Sequence, residues 1–361
     1  MSASGHRTCP RGAGGGLRFA YNNSMMKVGV PRALSYYRYF PLWKSLLEGM
    51  GAQVVLSSPT GDKLLENGVR HCVDDICVPV KLFYGHVLDV ADKCDVLFVP
   101  RLVSIEKAEV DTYTCPKLIG LPDMVKSSIE GIPPMVEFVV DIQERSIRSS
   151  ARRLATELGM PHARARGALA DALLVQASYE QRLLAGVTPE KAMKEVLGNG
   201  NGEGKKDASA GRPAGSRARP RDVRIALVGH EYLIHDYYIS HNLPAKLERF
   251  GAEVTYMAEV PVDVIERELA RYPGISWSYE KELLGAASHF LGREDIDGVM
   301  LVMGFACGPD SIIGEIITRE VLTDDSAPLT TLVLDEHTGA AGVETRVEAF
   351  VDLIRRARNR S

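Results

Sequence analysis

The sequence predicts an α/β protein of two lobes, each a doubly wound parallel sheet, with a helical segment between them. Two observations predict the lobes: short apolar runs alternate with helical patterns at 26–142 and again at 223–361. Such alternation is typical of parallel sheets with crossover helices. A third observation predicts the division, because residues 143–197 have a helical pattern with breaks at 159–161 and 186–189, and residues 198–222 are polar and Gly-rich.

These patterns divide the chain into five segments. They are a polar tail at 1–25, a first α/β lobe at 26–142, a helical segment at 143–197, a flexible linker at 198–222 and a second α/β lobe at 223–361. The tail and the linker have too little apolar content to offset the entropy lost on ordering, so we expect both to be disordered and dispensable. The tail leaves open whether the natural start is Met1, Met25 or Met26.

Apolar runs bounded by turn residues predict the strands, and longer periodic runs predict the helices. In the first lobe the predicted strands are 26–30, 52–56, 95–99 and 135–140, and the predicted helices are 36–51, 64–73 and 80–90. In the second lobe the predicted strands are 223–228, 252–257, 297–303 and 329–334, and the predicted helices are 243–250, 262–271, 277–291, 309–321 and 343–358.

Composition bounds the class of protein. The chain has 361 residues, 45% of them apolar, and a net charge of −4. These values predict two or three soluble domains and give no reason to expect nucleic acid or a membrane as a partner. Six cysteines without a secretory segment favour reduced thiols, metal ligation or catalysis over a disulfide scaffold. We therefore expect a cytoplasmic protein.

Cys307 lies where a predicted strand ends and a predicted helix begins. The apolar run 299–303 reads as a buried parallel strand, and Pro309 is typical of a first helical turn. Ligands bind at this edge in open α/β sheets, and a helix N-terminus favours a thiolate or an anionic cluster. The alternative is a small buried cysteine in a tight turn.

Cys77 and Cys115 share this setting, because each has a neighbouring proline where a regular element ends. Proline removes a backbone donor and stiffens the turn, which can fix the direction of a thiolate. None of the three cysteines forms a CxxC pair, so spacing alone is a weak metal signal. Cys72 and Cys94 lie in apolar-periodic or strand-edge sequence and are interpreted as structural.

Cationic residues gather near the predicted strand ends. Arg32, Arg101, His230 and His337 follow strands, and Lys81 flanks Cys77. We expect all five to face a cleft between the lobes and to bind an anionic ligand there, since Arg is suited to carboxylate and phosphate. The alternative is that they are scattered surface charges.

The sequence resembles the 2-hydroxyacyl-CoA dehydratase activase-related proteins across nearly all of 26–352. Two segments make the resemblance specific: Gly304-Phe-Ala-Cys-Gly-Pro-Asp-Ser311 and Asp335-Glu-His-Thr-Gly339. Further similar segments are Val28-Gly-Val-Pro-Arg32, Phe40-Pro-Leu-Trp43, Asp75-Ile-Cys-Val-Pro-Val-Lys81, Pro100-Arg-Leu-Val103, Cys115-Pro-Lys117, Gly120-Leu-Pro-Asp123, Gly229-His230 and Glu344-Thr-Arg346.

The resemblance implies an oxygen-sensitive iron–sulfur cluster, of the 4Fe-4S type, ligated by Cys77, Cys115 and Cys307. It also implies a separate ATP-dependent activase with its own cluster, a homologous subunit in a homo- or heterodimer, and an acyl-CoA-type substrate. The chain contains no Gly-x-x-x-x-Gly-Lys-Ser/Thr motif, so we expect ATP hydrolysis to be a partner's task.

The preferred function is thus a cluster-bearing protein that uses or relays low-potential electrons for reductive activation of an acyl-CoA-type substrate, as a dehydratase-like lyase or a reductase component. One alternative is a non-enzymatic electron-transfer or cluster-carrying protein, and another is a metal-free, two-lobe small-molecule binding protein. We expect the three sulfurs to converge between the lobes. Zinc is the alternative metal, because zinc sites also use three cysteines with another ligand.

Overall fold

The computed structural model describes residues 25–107, 112–198, 222–321 and 327–359. The first lobe contains β1 (Lys27–Val30), α1 (Tyr36–Met50), β2 (Gln53–Leu56), α2 (Asp62–His71), α3 (Val78–Ala91), β3 (Val96–Ser104), α4 (Pro116–Ile119), α5 (Leu121–Ser128) and β4 (Met135–Asp141). Its four strands are all parallel, in the order β2-β1-β3-β4. The expected tail and most of the expected linker lie outside the described residues.

The second lobe repeats this topology. It contains β5 (Val223–Gly229), α9 (Glu231–Ile234), α10 (Leu243–Arg249), β6 (Ala252–Tyr256), a 3-10 turn (Met257–Glu259), α11 (Val262–Leu269), α12 (Ser278–Leu291), β7 (Gly298–Gly304), α13 (Gly308–Val321), β8 (Leu329–Leu334) and α14 (Ala340–Arg358). The parallel order is β6-β5-β7-β8. Two separate parallel sheets with surrounding helices confirm the predicted fold class.

The helical segment consists of α6 (Ile147–Glu157), α7 (His162–Leu184) and α8 (Pro189–Leu197). It packs on the first lobe through α1. The Tyr179 hydroxyl donates a 2.5 Å hydrogen bond to the Tyr37 carbonyl, and the Gln176 amide donates one of 2.9 Å to the Arg38 carbonyl. α7 thereby covers backbone acceptors of the aromatic helix α1.

Strand β3 runs further than the sequence predicts. The predicted strand ends at residue 99, with Arg101 beyond it, whereas β3 continues to Ser104 and contains Arg101. Pro100 is tolerated because β3 pairs with β1 only at Val96 and Leu97, so the later part of β3 has β4 as its one sheet neighbour. A proline within a strand is compatible with such an edge position.

The carboxyl edges of the two sheets face each other. Pro79 of the first lobe lies beside Gly304 of the second: a Cβ placed on Gly304 would be 3.6 Å from Pro79 Cδ. A parallel bridge joins Tyr113 to Trp277 across the lobes. One cluster of buried apolar side chains includes residues of both lobes. In each sheet the strand order reverses at this edge, between β1 and β3 and between β5 and β7, which is where open α/β sheets bind ligands.

Candidate functional site

The three predicted cysteines all precede helices. Cys77 is the N-cap of α3, Cys115 is the N-cap of α4, and Cys307 directly precedes α13. A backbone N–H from the first helical turn acts on each sulfur and lowers the pKa of the thiol; these groups belong to Val80, Lys117 and Asp310 respectively. The first N–H groups of a helix have no partner within it, so this arrangement favours negative charge on all three sulfurs.

The three thiols lie in one region between the lobes. The charge of Cys77 acts on both other thiols, and the charge of Cys115 acts on Cys307. Burial, the largest influence on each, raises the pKa of all three. Two are buried and Cys115 is half-buried. These thiols are therefore neutral without a bound positive group, and a metal would be needed to hold them as thiolates.

Their spacing bears on the kind of metal. In the described part of the chain, the three sulfurs are not all within 4.8 Å of one another. A tetrahedral zinc ion with Zn–S bonds of about 2.3 Å would place them about 3.8 Å apart. The thiols would therefore have to move to share one zinc ion, whereas a group of several metal atoms bridges wider gaps.

Lys117 links the two halves of this region. Its ammonium donates a 2.9 Å hydrogen bond to the carbonyl of Ala306 in the second lobe. Burial raises the pKa of Cys77, and the positive charge of Lys117 partly offsets that rise. Ala306 has a φ of 61°, the left-handed region that non-glycine residues rarely adopt. This turn presents the Ala306 carbonyl to Lys117 and places Cys307 at the start of α13.

A buried polar group adjoins Cys307. The His230 ring follows β5 and lies 2.8 Å, through Nε2, from Asp310 Oδ1 on α13. Although burial alone would lower it, the charge of Asp310 raises the pKa of His230 to about 9. Although burial alone would raise it, the pKa of Asp310 is lowered by His230 and by the hydrogen bond from the Cys307 thiol. Burial raises the pKa of Glu280, the third member of the group.

The structure does not bring the five predicted cationic residues to one point. Lys81 is buried in an ion pair with Glu336 across the lobes. Arg101 pairs within the first lobe with Asp123 and Glu137. His230 is buried against Asp310, and Arg32 lines a cavity. The His337 side chain is 86% exposed. Their contact with an anionic ligand stays a prediction.

A comparison with protein families shows which family the chain belongs to. Residues 27–260 match the family described as the CoA enzyme activase uncharacterised domain. The chain belongs to this CoA enzyme activase family. A comparison with curated proteins finds no match. The match includes Cys77, Cys115 and His230, and ends before Cys307 and Asp310. The part of the activase-family protein that supplies the third thiol thus lies outside the matched region.

Arg32 lines a cavity of about 100 Å³ where the lobes of this activase-family protein meet. Tyr36, Tyr37 and Thr60 contribute from the first lobe, and His235 from the second. Arg32 Nε and His235 Nδ1 are buried there without a hydrogen-bond partner among the described residues. Two unpartnered nitrogen atoms at one cavity are suited to a polar ligand.

Sequence reasoning missed Lys117, Asp310 and Glu280 as parts of the site. Lys117 and Asp310 lie in the same short motifs as Cys115 and Cys307, so their proximity to those cysteines was a usable signal. Glu280 gave none, because it lies on α12 in an ordinary charged stretch. Among the described residues, none of the helices is both long and apolar enough to span a membrane.

Proposed function

We propose that this activase-family protein carries an iron–sulfur cluster between its lobes, ligated by Cys77, Cys115 and Cys307, and relays low-potential electrons for the activation of an acyl-CoA-type substrate. The observation that carries the proposal is that three cysteines from the two lobes each stand at the start of a helix and lie near enough for their charges to act on one another. Backbone N–H groups beside each sulfur suit the negative charge of a thiolate-bound cluster.

The donor set fits such a cluster. All three ligands are thiols, which is the ligand type that iron–sulfur clusters use, and they are spaced more widely than a single zinc ion requires. Three protein ligands leave one position for water, substrate or a partner's residue. When bound, the cluster would supply one-electron chemistry at low potential, with the potential set by burial and hydrogen bonds to sulfur.

The chain's own residues have distinct tasks in this proposal. Lys117 places a positive charge beside Cys77 and joins the two lobes at the Ala306 carbonyl, which fixes the relative position of the ligands. The buried surroundings of Cys77 and Cys307 exclude water from the thiols. Arg32, which lines a cavity where the lobes meet, would hold an anionic part of a substrate.

The partner is a CoA-dependent enzyme system. The family description supports a role in activating a CoA enzyme. We propose a separate ATP-dependent activase as the electron donor and a homologous subunit as the dimer partner, because the chain has no P-loop motif. If the purified chain hydrolyses ATP by itself, it is instead the ATP-dependent component.

The decisive experiment measures iron and acid-labile sulfide in protein purified without oxygen. The parent is expected to contain about four iron atoms per chain. Cys77→Ser, Cys115→Ser and Cys307→Ser should each lose most of this iron, and Cys72→Ser is the matched control because its half-buried thiol lies outside the site, 3.8 Å from the Val69 carbonyl. A parent without iron, or a Cys307→Ser variant with as much iron as the parent, contradicts the proposal.

A second assay separates the functional alternatives. Turnover of a 2-hydroxyacyl-CoA with an activase and a reductant indicates a lyase. A protein that holds a cluster and passes electrons without turnover is a carrier. A protein that holds no metal and binds a small molecule at the Arg32 cavity is a two-lobe binding protein.

A further inference from the structure

His230, Glu280 and Asp310 form the most deeply buried group of ligand-type side chains in the described part of the chain. Their exposed fractions are 2%, 1% and 1%. One ring nitrogen of His230 and one carboxylate oxygen from each of the other two lie within 4.8 Å of one another. Three separate elements converge here, because His230 follows β5, Glu280 is on α12 and Asp310 is on α13.

Two atoms of this group have no partner. His230 Nδ1 and Glu280 Oε2 are buried and make no hydrogen bond to any described residue. Buried polar atoms in native proteins are nearly always paired, so an unpaired ring nitrogen and an unpaired carboxylate oxygen in one cluster point to a bound ion or water. The His230–Asp310 hydrogen bond accounts only for the other ring nitrogen.

The charges of the group indicate which of these is bound. Two carboxylates lie in an interior that excludes water, and the nearby guanidinium of Arg38 is already paired with Glu282 at 2.5 Å and lies 4.0 Å from Glu231. With water alone, a proton has to neutralise Glu280, while His230 and Asp310 balance each other. A divalent cation would balance both carboxylates in their ionised form and leave His230 neutral, and the protons it displaces would pass to solvent.

The ring of His230 is also held in place as a metal ligand requires. It stacks on Tyr232, with ring centroids 4.9 Å apart and planes 19° apart, and it meets the edge of Tyr279 at 5.8 Å. Aromatic contacts on two sides fix the orientation of the imidazole. A histidine nitrogen with two carboxylates is a borderline-to-hard donor set that suits Zn²⁺, Mn²⁺ or Fe²⁺.

We propose that His230, Glu280 and Asp310 bind one divalent transition-metal ion at a site separate from the three thiols. Water completes the coordination. Because Asp310 also lies beside Cys307 and receives the Gly304 N–H at 3.5 Å, the ion fixes the turn that carries the third thiol. The site therefore positions Cys307 without touching the substrate.

Cobalt(II) is the probe, because its spectrum reports the ligand type. The protein is the full chain with Cys77, Cys115 and Cys307 replaced by serine, so that the thiol region cannot bind metal. We expect one Co²⁺ per chain, with weak visible bands and without the intense near-ultraviolet band of thiolate-bound cobalt. Glu280→Gln should weaken Co²⁺ binding about 100-fold.

Glu282→Gln is the matched control, because Glu282 lies on the same helix and pairs with Arg38 outside the site. Its Co²⁺ affinity should be unchanged. His230→Ala can fail to fold, in which case the isosteric Glu280→Gln variant, with its fold checked by circular dichroism, carries the test. A full chain that takes up no Co²⁺, or that binds it equally well after Glu280→Gln, overturns the proposal and leaves a metal-free ion triad.

The native metal is measured independently. Parent protein with intact cysteines should contain about one zinc or manganese ion per chain beyond its cluster iron, or iron in excess of the sulfide. This excess should disappear in Glu280→Gln and persist in Cys307→Ser. Metal that disappears in Cys307→Ser and persists in Glu280→Gln would place the ion at the thiols and contradict the proposal.

Discussion

The two lobes have the same strand order but carry different chemical groups at the edges that face each other. The first lobe presents two thiols, Cys77 and Cys115, with the cations of Lys81 and Lys117. The second presents one thiol, Cys307, with a set of carboxylates: Glu231, Glu280, Glu282, Asp310 and Glu336. The repeated fold gives each lobe a binding edge, and the loops after the strands decide what that edge carries.

Ion pairs between the cations of the first lobe and the carboxylates of the second join the lobes. The three least exposed ion pairs across the interface have the cation on the first lobe and the carboxylate on the second: Lys81 with Glu336, and Arg38 with both Glu231 and Glu282. The reversed pair, Lys281 with Glu106, is more exposed. Complementary charge therefore sets how the two edges meet, which in turn sets the distances among the three thiols.

Replacing Lys81 is the strongest test of whether complementary charge holds the two lobes together. Its side chain is 5% exposed and that of Glu336 is 16% exposed. Lys81→Met leaves the Glu336 carboxylate without its partner in a nearly dry interface. We expect the free energy of unfolding to fall by about 3 kcal/mol, measured by urea denaturation.

Two further variants separate the ion pair from general damage. The double variant Lys81→Met with Glu336→Leu removes both charges and should recover most of the lost stability. Lys93→Met breaks an exposed pair with Asp89 within the first lobe and should cost less than about 1 kcal/mol. A Lys81→Met loss no larger than that of Lys93→Met would mean that charge complementarity does not hold the lobes together.

The sequence was sufficient for the fold because each lobe is built from local patterns. The run Val299–Val302 is buried on both faces and became part of β7, as an apolar run without alternation predicts. Pro309 predicted the start of α13 for the same local reason. These features depend on a few neighbouring residues.

The polar contacts could not be predicted in this way. His230 and Asp310 are 80 positions apart, and Lys81 and Glu336 are 255 apart. Which of them meet depends on how two sheets are placed, and no short pattern encodes that. Arg101 was misplaced for a related reason: Pro100 suggested a strand end, and only the shortness of β1 allows β3 to continue through it.

A smaller effect compares the buried neutral histidines of the two lobes. Burial lowers the pKa of His86 in the first lobe to about 3, and burial lowers the pKa of His235 in the second to about 3. An unfolded histidine has a pKa near 6.5, so below that pH the unfolded chain binds protons that the folded protein does not. Stability should therefore fall as pH falls from about 6.5 towards about 3.

Each histidine should contribute a slope of about 1.4 kcal/mol per pH unit in this window, or about 2 kcal/mol between pH 7 and pH 5. His86→Gln and His235→Gln should each reduce the slope by that amount, and the double variant by twice as much. The measurement is urea unfolding at several pH values. The slope of the unfolding free energy against pH is compared, because either substitution also changes stability at neutral pH. If only one variant changes the slope, the lobes do not share this acid sensitivity.

The smallest expected effect is at Ala306, in the turn that carries the second lobe's thiol. Its φ of 61° costs a residue with a Cβ about 1 kcal/mol or more, and glycine adopts this region freely. Glycine also gains freedom in the unfolded chain, so the net gain from Ala306→Gly should be about 0.5 kcal/mol. Ala349→Gly is the control, because Ala349 is exposed within α14 and its replacement should destabilise by about 1 kcal/mol. Thermal unfolding measures the change in stability of each variant. If Ala306→Gly is stabilised and keeps its iron while Ala349→Gly is destabilised, the turn keeps its left-handed conformation. Equal losses of stability in both variants would contradict this.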